Sequence, residues 1–399
     1  MFYPFIFLLS STVSAQTPKC EAVDRDDPLN VYLVTSGPGS GMYTRVGHSA
    51  LWVSGAGKDE VFFNWGAYDL EQNNFLWHFF MGTAHFKLSL MPKERNDSIA
   101  EREERVVKAQ HLNLSPDMLQ RLERKLEKKA KPQNRSYIYH WEKQNCATLI
   151  RDMLDSAAGL PWQELKNEHT NITRRNEVLR HLGPLHWGWF GWHFMGSAYA
   201  DQTYTQWELM HIPENLMKQA AETTIQWEDG SKHPLVDYEC ILRDSSRGWA
   251  LEEPPTRWHW LWTIGLFFSG LIFKGLQHPS RFISSISKSI LSAHFLFGAF
   301  LGTIFPFFWI TSSLEGYGPN ENWFYANPLS FFLAVTVWKI NFASKPSILL
   351  STTLVFLGMI SNFFTNQINI DFIGFFGFPI LSFCLFLYLP KKGDQKMSF

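Results

Sequence analysis

Short apolar runs broken by polar, Gly-containing stretches recur from about residue 30 to residue 66. The segments "NVYLVTSG", "HSALWV" and "EVFFNWG" are rich in Val, Leu, Phe and Trp and are separated by Gly-containing turns. They predict three strands, the last two joined by the hairpin loop "SGAGKDE". A charged section follows over 93–134, and within it the spacing becomes helical. In "LSPDMLQRLERKLEKKAKP", Ser115 is placed to cap, Pro116 fits the first helical position, and Leu119, Leu122 and Leu126 share a face. "SYIYHW" predicts another strand, leading into "NCATLIRDML". There Asn145 is an N-cap residue, Ile150, Met153, Leu154 and Ala157 fall at helical spacing, and Gly159 supplies the stop.

Beyond residue 255 the mixed, polar sequence gives way to long apolar runs near 258–276, 290–311, 328–344, 347–364 and 370–390. These predict five membrane spans, the third being the shortest. The loops after the first and third carry Arg281, Lys288 and Lys345, and the tail carries Lys391, Lys392 and Lys396. The loops after the second and fourth, "SSLEGYGPNENWFYANP" and "TNQINID", have no Lys or Arg. By the positive-inside rule, residues 16–255 lie outside the cytoplasm and the C-terminus inside. "FYPFIFLLSSTVSA" predicts a signal peptide over residues 1–15, ending in the small residues Val13, Ser14 and Ala15. It lacks a positive leading segment, so an uncleaved anchor is the alternative. The predicted organisation is therefore a signal peptide (1–15), an exported domain (16–255) and a membrane domain (256–399).

Composition agrees: 35 Phe and 17 Trp stand in a chain only 18% charged. A net charge of −1 gives no electrostatic reason to expect a nucleic-acid partner. In "LHWGWFGWHF", Trp187, Trp189 and Trp192 are expected to contact substrate at the membrane–water boundary, where Trp is favoured. A packing cluster is the alternative. His181, His186 and His193 have no metal-ligand spacing, and neither metal nor cofactor is expected.

The chain has four cysteines. Cys384 falls in the last apolar run, whereas Cys20 and Cys240 lie near the two ends of the exported domain, where a disulfide is permitted. Their pairing would leave Cys146 as an unpaired exported thiol. A helix N-terminus favours an anion, so Cys146 tends toward the nucleophilic thiolate; the alternative is a small buried residue. His48 is the candidate base, because imidazole titrates near neutrality. Folding "HSALWV" onto "VFFNWG" brings Asn64 near His48, where its amide oxygen would select the tautomer. Tyr68 and Asp69 are the alternative orienting groups. The Cys146 backbone N–H would face a developing oxyanion.

A strand-borne His preceding a helix-borne "NC" resembles the circularly permuted papain-like arrangement of the NlpC superfamily, which the lecithin:retinol acyltransferase family shares. More closely, the chain resembles the lipoprotein intramolecular transacylase (Lnb-type) family. The resemblance rests on "YLVTSGPGSGMYTRVGHSALWV", "VFFNWGAYDL", "AKPQNRSYIYHWEKQNCATLIRDML" and "GSAYADQTYTQWELMHIPENL", within residues 31–217. It implies an α+β fold, a permuted papain-like exported domain followed by an all-α polytopic membrane domain in a bacterial inner membrane. It also implies Cys146 as nucleophile, His48 as base and Asn64 as orienting residue. The implied reaction moves an acyl chain from the diacylglyceryl group of a lipoprotein to its N-terminal amine, with diacylated lipoproteins and membrane lipid as partners. Tyr139 and Arg151 fall in the matching segments and are expected to hold the cysteine helix against the sheet. A papain-like peptidase or amidase acting on cell-wall peptide would use the same dyad.

Overall fold

A computed structural model describes residues 18–20, 26–41, 44–68, 73–183, 186–339, 345–361 and 372–388. The expected signal peptide, Asp69 and the C-terminal lysines lie outside these residues. The strands are β1 (Asn30–Ser36), β2 (His48–Gly55), β3 (Lys58–Tyr68), β4 (His85–Met91), β5 (Val107–Leu112), β6 (Ser136–Ile138), β7 (His169–Thr173), β8 (Thr203–Thr205), β9 (Thr224–Gln226), β10 (Lys232–Pro234) and β11 (Val236–Arg243). Seven of them form one antiparallel sheet in the order β11-β5-β1-β2-β3-β4-β6. β7 pairs with β8 and β9 with β10 in two small ribbons.

Successive strand residues point to opposite sides, and here both sides are covered. Leu33, Leu51, Val53, Phe63 and Trp65 meet residues of the helices Pro116–Ala130, Cys146–Ala158 and Pro213–Glu222. Tyr32, Val34, Ala50, Trp52 and Phe62 form a second core with Ala100 of the helix Lys93–Arg102. In the helix Pro116–Ala130, Ser115 Oγ accepts from the Met118 N–H, and Met118, Leu122 and Leu126 are the buried row. Leu119 stands at its edge, partly buried. The strand predicted over "SYIYHW" is shorter than expected, because His140 and Gln144 exchange two backbone hydrogen bonds (3.0 and 2.9 Å) and close a tight loop before the cysteine helix. Cys20 and Cys240 form a disulfide across a sequence separation of 220, tying the start of the described chain to β11.

The C-terminal third contains the helices Trp258–Leu276, Arg281–Thr311, Ser330–Thr336, Lys345–Ser361 and Phe378–Tyr388. Among the described residues, Arg281–Thr311 is the one helix long and apolar enough to cross a membrane; Pro346–Gly358 and Ile373–Leu387 are shorter apolar segments. The run expected over 328–344 is helical only across Ser330–Thr336, and residues 340–344 are not described. A third core joins these helices to the Trp-rich helix His186–Met195, whose Phe194 packs on Phe305, Phe372 and Phe376. The connection after Thr311 returns to the sheet domain. Ser312 Oγ donates to the Phe80 carbonyl (2.8 Å), Ser313 Oγ to Met81 (3.0 Å), and Asn320 Nδ2 to Phe194 (2.8 Å). The loop between Leu276 and Arg281 therefore sits at the opposite end of these two helices from the domain.

Candidate active site

Asn145 fixes the start of the cysteine helix. Its Oδ1 accepts from the N–H groups of Ala147 and Thr148, each at 2.9 Å, and its own N–H donates to Thr148 Oγ1 at 2.8 Å. Its Nδ2 donates to the carbonyls of Trp141 (2.7 Å) and His211 (3.0 Å). Every polar group of this cap is used, so the first turn has one position. Cys146, half-buried, is the first helical residue and its N–H has no intrahelical acceptor. Burial pushes the thiol up, but the His48 charge, a hydrogen bond with His48, and the N–H groups of Ser49 and Ala147 outweigh it. The thiol is held below its ordinary value.

His48 opens β2 directly after Gly47, whose φ of +84° is a left-handed conformation; a Cβ there would fall 2.7 Å from the Ser36 carbonyl oxygen. Ala50 pairs with Asn64, which makes His48 and Asn64 diagonal neighbours on one face of the hairpin. His48 Nε2 lies 3.0 Å from Asn64 Oδ1. An amide oxygen can only accept, so Nε2 carries the proton and Nδ1 is the nitrogen left for the thiol. Behind the ring is Gly66, with φ +129°, at a bulge between Trp65 and Ala67. A Cβ at Gly66 would come within 3.4 Å of His48 Cε1.

Cys146, His48 and Asn64 thus meet at one point; of the two alternative orienting groups, Asp69 lies outside the described residues. Tyr68 is exposed and packs tilted against Phe75 and edge-on to Phe86. The three tryptophans diverge. Trp187 is 61% exposed, whereas Trp189 is buried, donating to the Pro255 carbonyl at 3.1 Å beneath the Arg257 guanidinium. Trp192 meets Trp141, edge to face, on the loop preceding the cysteine helix. Tyr139 is stacked between Phe79 and Phe86. Arg151 ties the cysteine helix to the Trp207 segment rather than to the sheet, donating to the Trp207 carbonyl at 2.9 Å and lying 3.8 Å over its ring.

Sequence reasoning missed the support behind the loop. Glu142, four residues before Cys146 and with its side chain largely covered, accepts from the hydroxyls of Tyr199 and Tyr204 and pairs with Arg174 at 3.4 Å. Arg174 also reaches Glu208 at 2.8 Å. These partners come from residues 174–208, and no local pattern announces a pairing across such a separation. A cavity of about 770 Å³ lined by Glu177, Arg180, Glu214, Lys218 and Trp249, among others, includes neither Cys146 nor His48.

A family model described as the Lnb N-terminal periplasmic domain matches residues 20–176, the part of the chain that holds His48, Asn64 and Cys146. No curated protein and no solved structure matches the chain.

Proposed function

We propose that this protein is a membrane-tethered thiol acyltransferase that moves an acyl chain from the diacylglyceryl group of a lipoprotein to its N-terminal amine. The observation that carries the reading is a helix-capped thiol, held below its ordinary value beside a histidine whose far nitrogen is bonded to Asn64. The match to an Lnb N-terminal periplasmic domain supports the choice of lipoprotein as substrate.

In this mechanism the Cys146 thiolate attacks an ester carbonyl of the substrate. The carbon–oxygen bond breaks and His48 protonates the departing glycerol oxygen. The free amine then attacks the thioester, His48 takes its proton, and the carbon–sulfur bond breaks to restore the thiolate. The Cys146 N–H would steady the oxyanion in both steps. Asn64 fixes the imidazole tautomer without touching substrate.

The exported domain would be extracytoplasmic, in keeping with the family description, and the C-terminal helices would cross the membrane several times. Support comes from the connection after Thr311, which touches the sheet domain, and from Phe372, which packs on Phe194. Both lie where the uncharged loops belong, and Arg281 begins at the far end.

A substrate with a blocked N-terminus tests the covalent step. A diacylated lipopeptide with an acetylated N-terminus should leave Cys146 carrying one acyl group, released by hydroxylamine and located by peptide mass mapping. Unmodified Cys146 with an intact lipopeptide would contradict a thioester route. Cleavage of the peptide bond, with the lipid untouched, would favour a peptidase.

A further inference from the structure

The short helix Phe75–Met81, "FLWHFFM", carries no charged side chain other than His78, yet Leu76 (56%) and Trp77 (51%) face outward. Apolar side chains exposed on a soluble face are common singly, but this pair is continuous with the longest membrane-type helix. Trp77 meets Phe307 (6.0 Å between centroids) and Phe80 meets Phe308 (5.8 Å). Ser312 and Ser313, just past that helix, hydrogen-bond the carbonyls of Phe80 and Met81. In Arg281–Thr311 the polar and charged residues cluster before residue 290, and residues 290–310 are almost wholly apolar. That stretch is about 30 Å long at 1.5 Å per residue, matching the hydrocarbon core. Phe307 and Phe308 then lie within one helical turn of the boundary on the side of the sheet domain. The helix Phe75–Met81 is held at the same depth.

Behind this helix an aromatic series runs toward the thiol. Phe75 contacts Phe79 (6.0 Å) and Phe86 (5.8 Å), both of which stack on Tyr139 (5.7 and 4.4 Å). Tyr139 and Cys146 both pack against the core that lies under the sheet.

We infer that the helix Phe75–Met81 lies in the outer bilayer interface, with Leu76 and Trp77 among the lipid acyl chains, and that its aromatic series guides the substrate's acyl chain from the membrane to Cys146. This rests on the membrane reading above. The occupant is bilayer lipid because the surface is apolar, aromatic and level with the end of a membrane-crossing helix, where Trp is favoured. A protein partner would have to displace lipid from the same plane.

The test uses full-length protein in vesicles of phosphatidylglycerol and phosphatidylethanolamine, with Cys146→Ser and Cys384→Ser removing other free thiols. Nitroxide labels are placed singly through Leu76→Cys, Trp77→Cys, Phe300→Cys and Glu127→Cys. Phe300 is exposed on the long helix and Glu127 on the charged helix. Labels at 76 and 77 should collide with oxygen in preference to a polar nickel chelate, at a depth shallower than 300, whereas 127 behaves as in water. If 300 is in lipid but 76 and 77 behave like 127, the inference is overturned and the membrane reading stands. If 300 is also in water, both fail. In otherwise unmodified enzyme, Leu76→Ser with Trp77→Ser should lower kcat/KM on vesicle-embedded lipopeptide by at least about tenfold, the lipid transfer of one of the two apolar side chains setting the lower bound. The same lipopeptide dispersed in detergent should lose less than about twofold. Equal losses in both would assign the pair a structural role and overturn the inference.

Discussion

A buried thiol resists ionisation, and in this chain His48 reverses that tendency at Cys146. Burial acts to raise the thiol; the charge and hydrogen bond of His48, helped by the N–H groups of Ser49 and Ala147, lower it further than burial raises it. The sign has a consequence for pH. With the thiol depressed, the thiolate fraction is present below the ordinary cysteine value of about 8.5 and disappears as pH falls through the lowered value. His48→Ala removes the leading favourable influences and leaves burial. The midpoint of iodoacetamide alkylation at Cys146, followed by mass mapping, should therefore move upward in His48→Ala; a midpoint unchanged or lowered would refute the pairing. Much of this local chemistry was legible. "NC" before a helical pattern marked the thiol, and hairpin arithmetic from "SGAGKDE" brought Asn64 to His48. Gly66 was not legible, because its positive φ behind the imidazole arises at a bulge that no short-range pattern encodes.

Among the elements, the cysteine helix is positioned chiefly from its first turn. Asn145 satisfies two helix N–H groups and also holds the carbonyls of Trp141 and His211, so one side chain joins the helix, the preceding loop and the segment before Pro213. Asn145→Ala would lose the cap and leave two carbonyls short of a donor. The expected loss is on the order of 2–3 kcal/mol in urea unfolding followed by far-ultraviolet circular dichroism of the full-length protein. A change below about 0.5 kcal/mol, the scale of an ordinary surface substitution, would contradict this role. β1, β2, β3 and β6 and the two helices with clear caps could be read from pattern, since apolar runs between Gly turns and cap residues are local signals; β4, β5 and β7–β11 carry no such signal. The order β11-β5-β1-β2-β3-β4-β6 could not, because β11 pairs with β5 across more than a hundred residues. The tryptophan cluster also divided on folding: Trp189 fills a buried place under Arg257, Trp192 supports the Trp141 loop, and only Trp187 is strongly exposed.

At the scale of the whole molecule, the loop before Cys146 and the C-terminal helices are in contact. Lys143, three residues before Cys146, pairs with Glu315 beyond the long helix, and Trp141 packs against Gly316. The segment around Glu315 must then share a compartment with the active site. Reporter fusions at residues 285, 320, 345, 367 and 399 should alternate, with 320 and 367 outside the cytoplasm; a fusion at 399 active only outside would break the topology. Lys/Arg alternation is what predicts this arrangement from the sequence, whereas the contact that brings Glu315 to the loop before Cys146 depends on long-range packing. On the proposed function, a site beside the bilayer would shelter a water-sensitive thioester, because the acyl chain would not cross open solvent. The central claim is that an acyl chain moves within one lipopeptide through Cys146. Purified full-length enzyme in vesicles, incubated with a diacylated lipopeptide bearing a free N-terminal amine, tests it most directly by tandem mass spectrometry. Total mass should stay unchanged, one acyl group should move to the amine, and Cys146→Ala should move none; relocation at the wild-type rate by Cys146→Ala would refute transfer through the thiol.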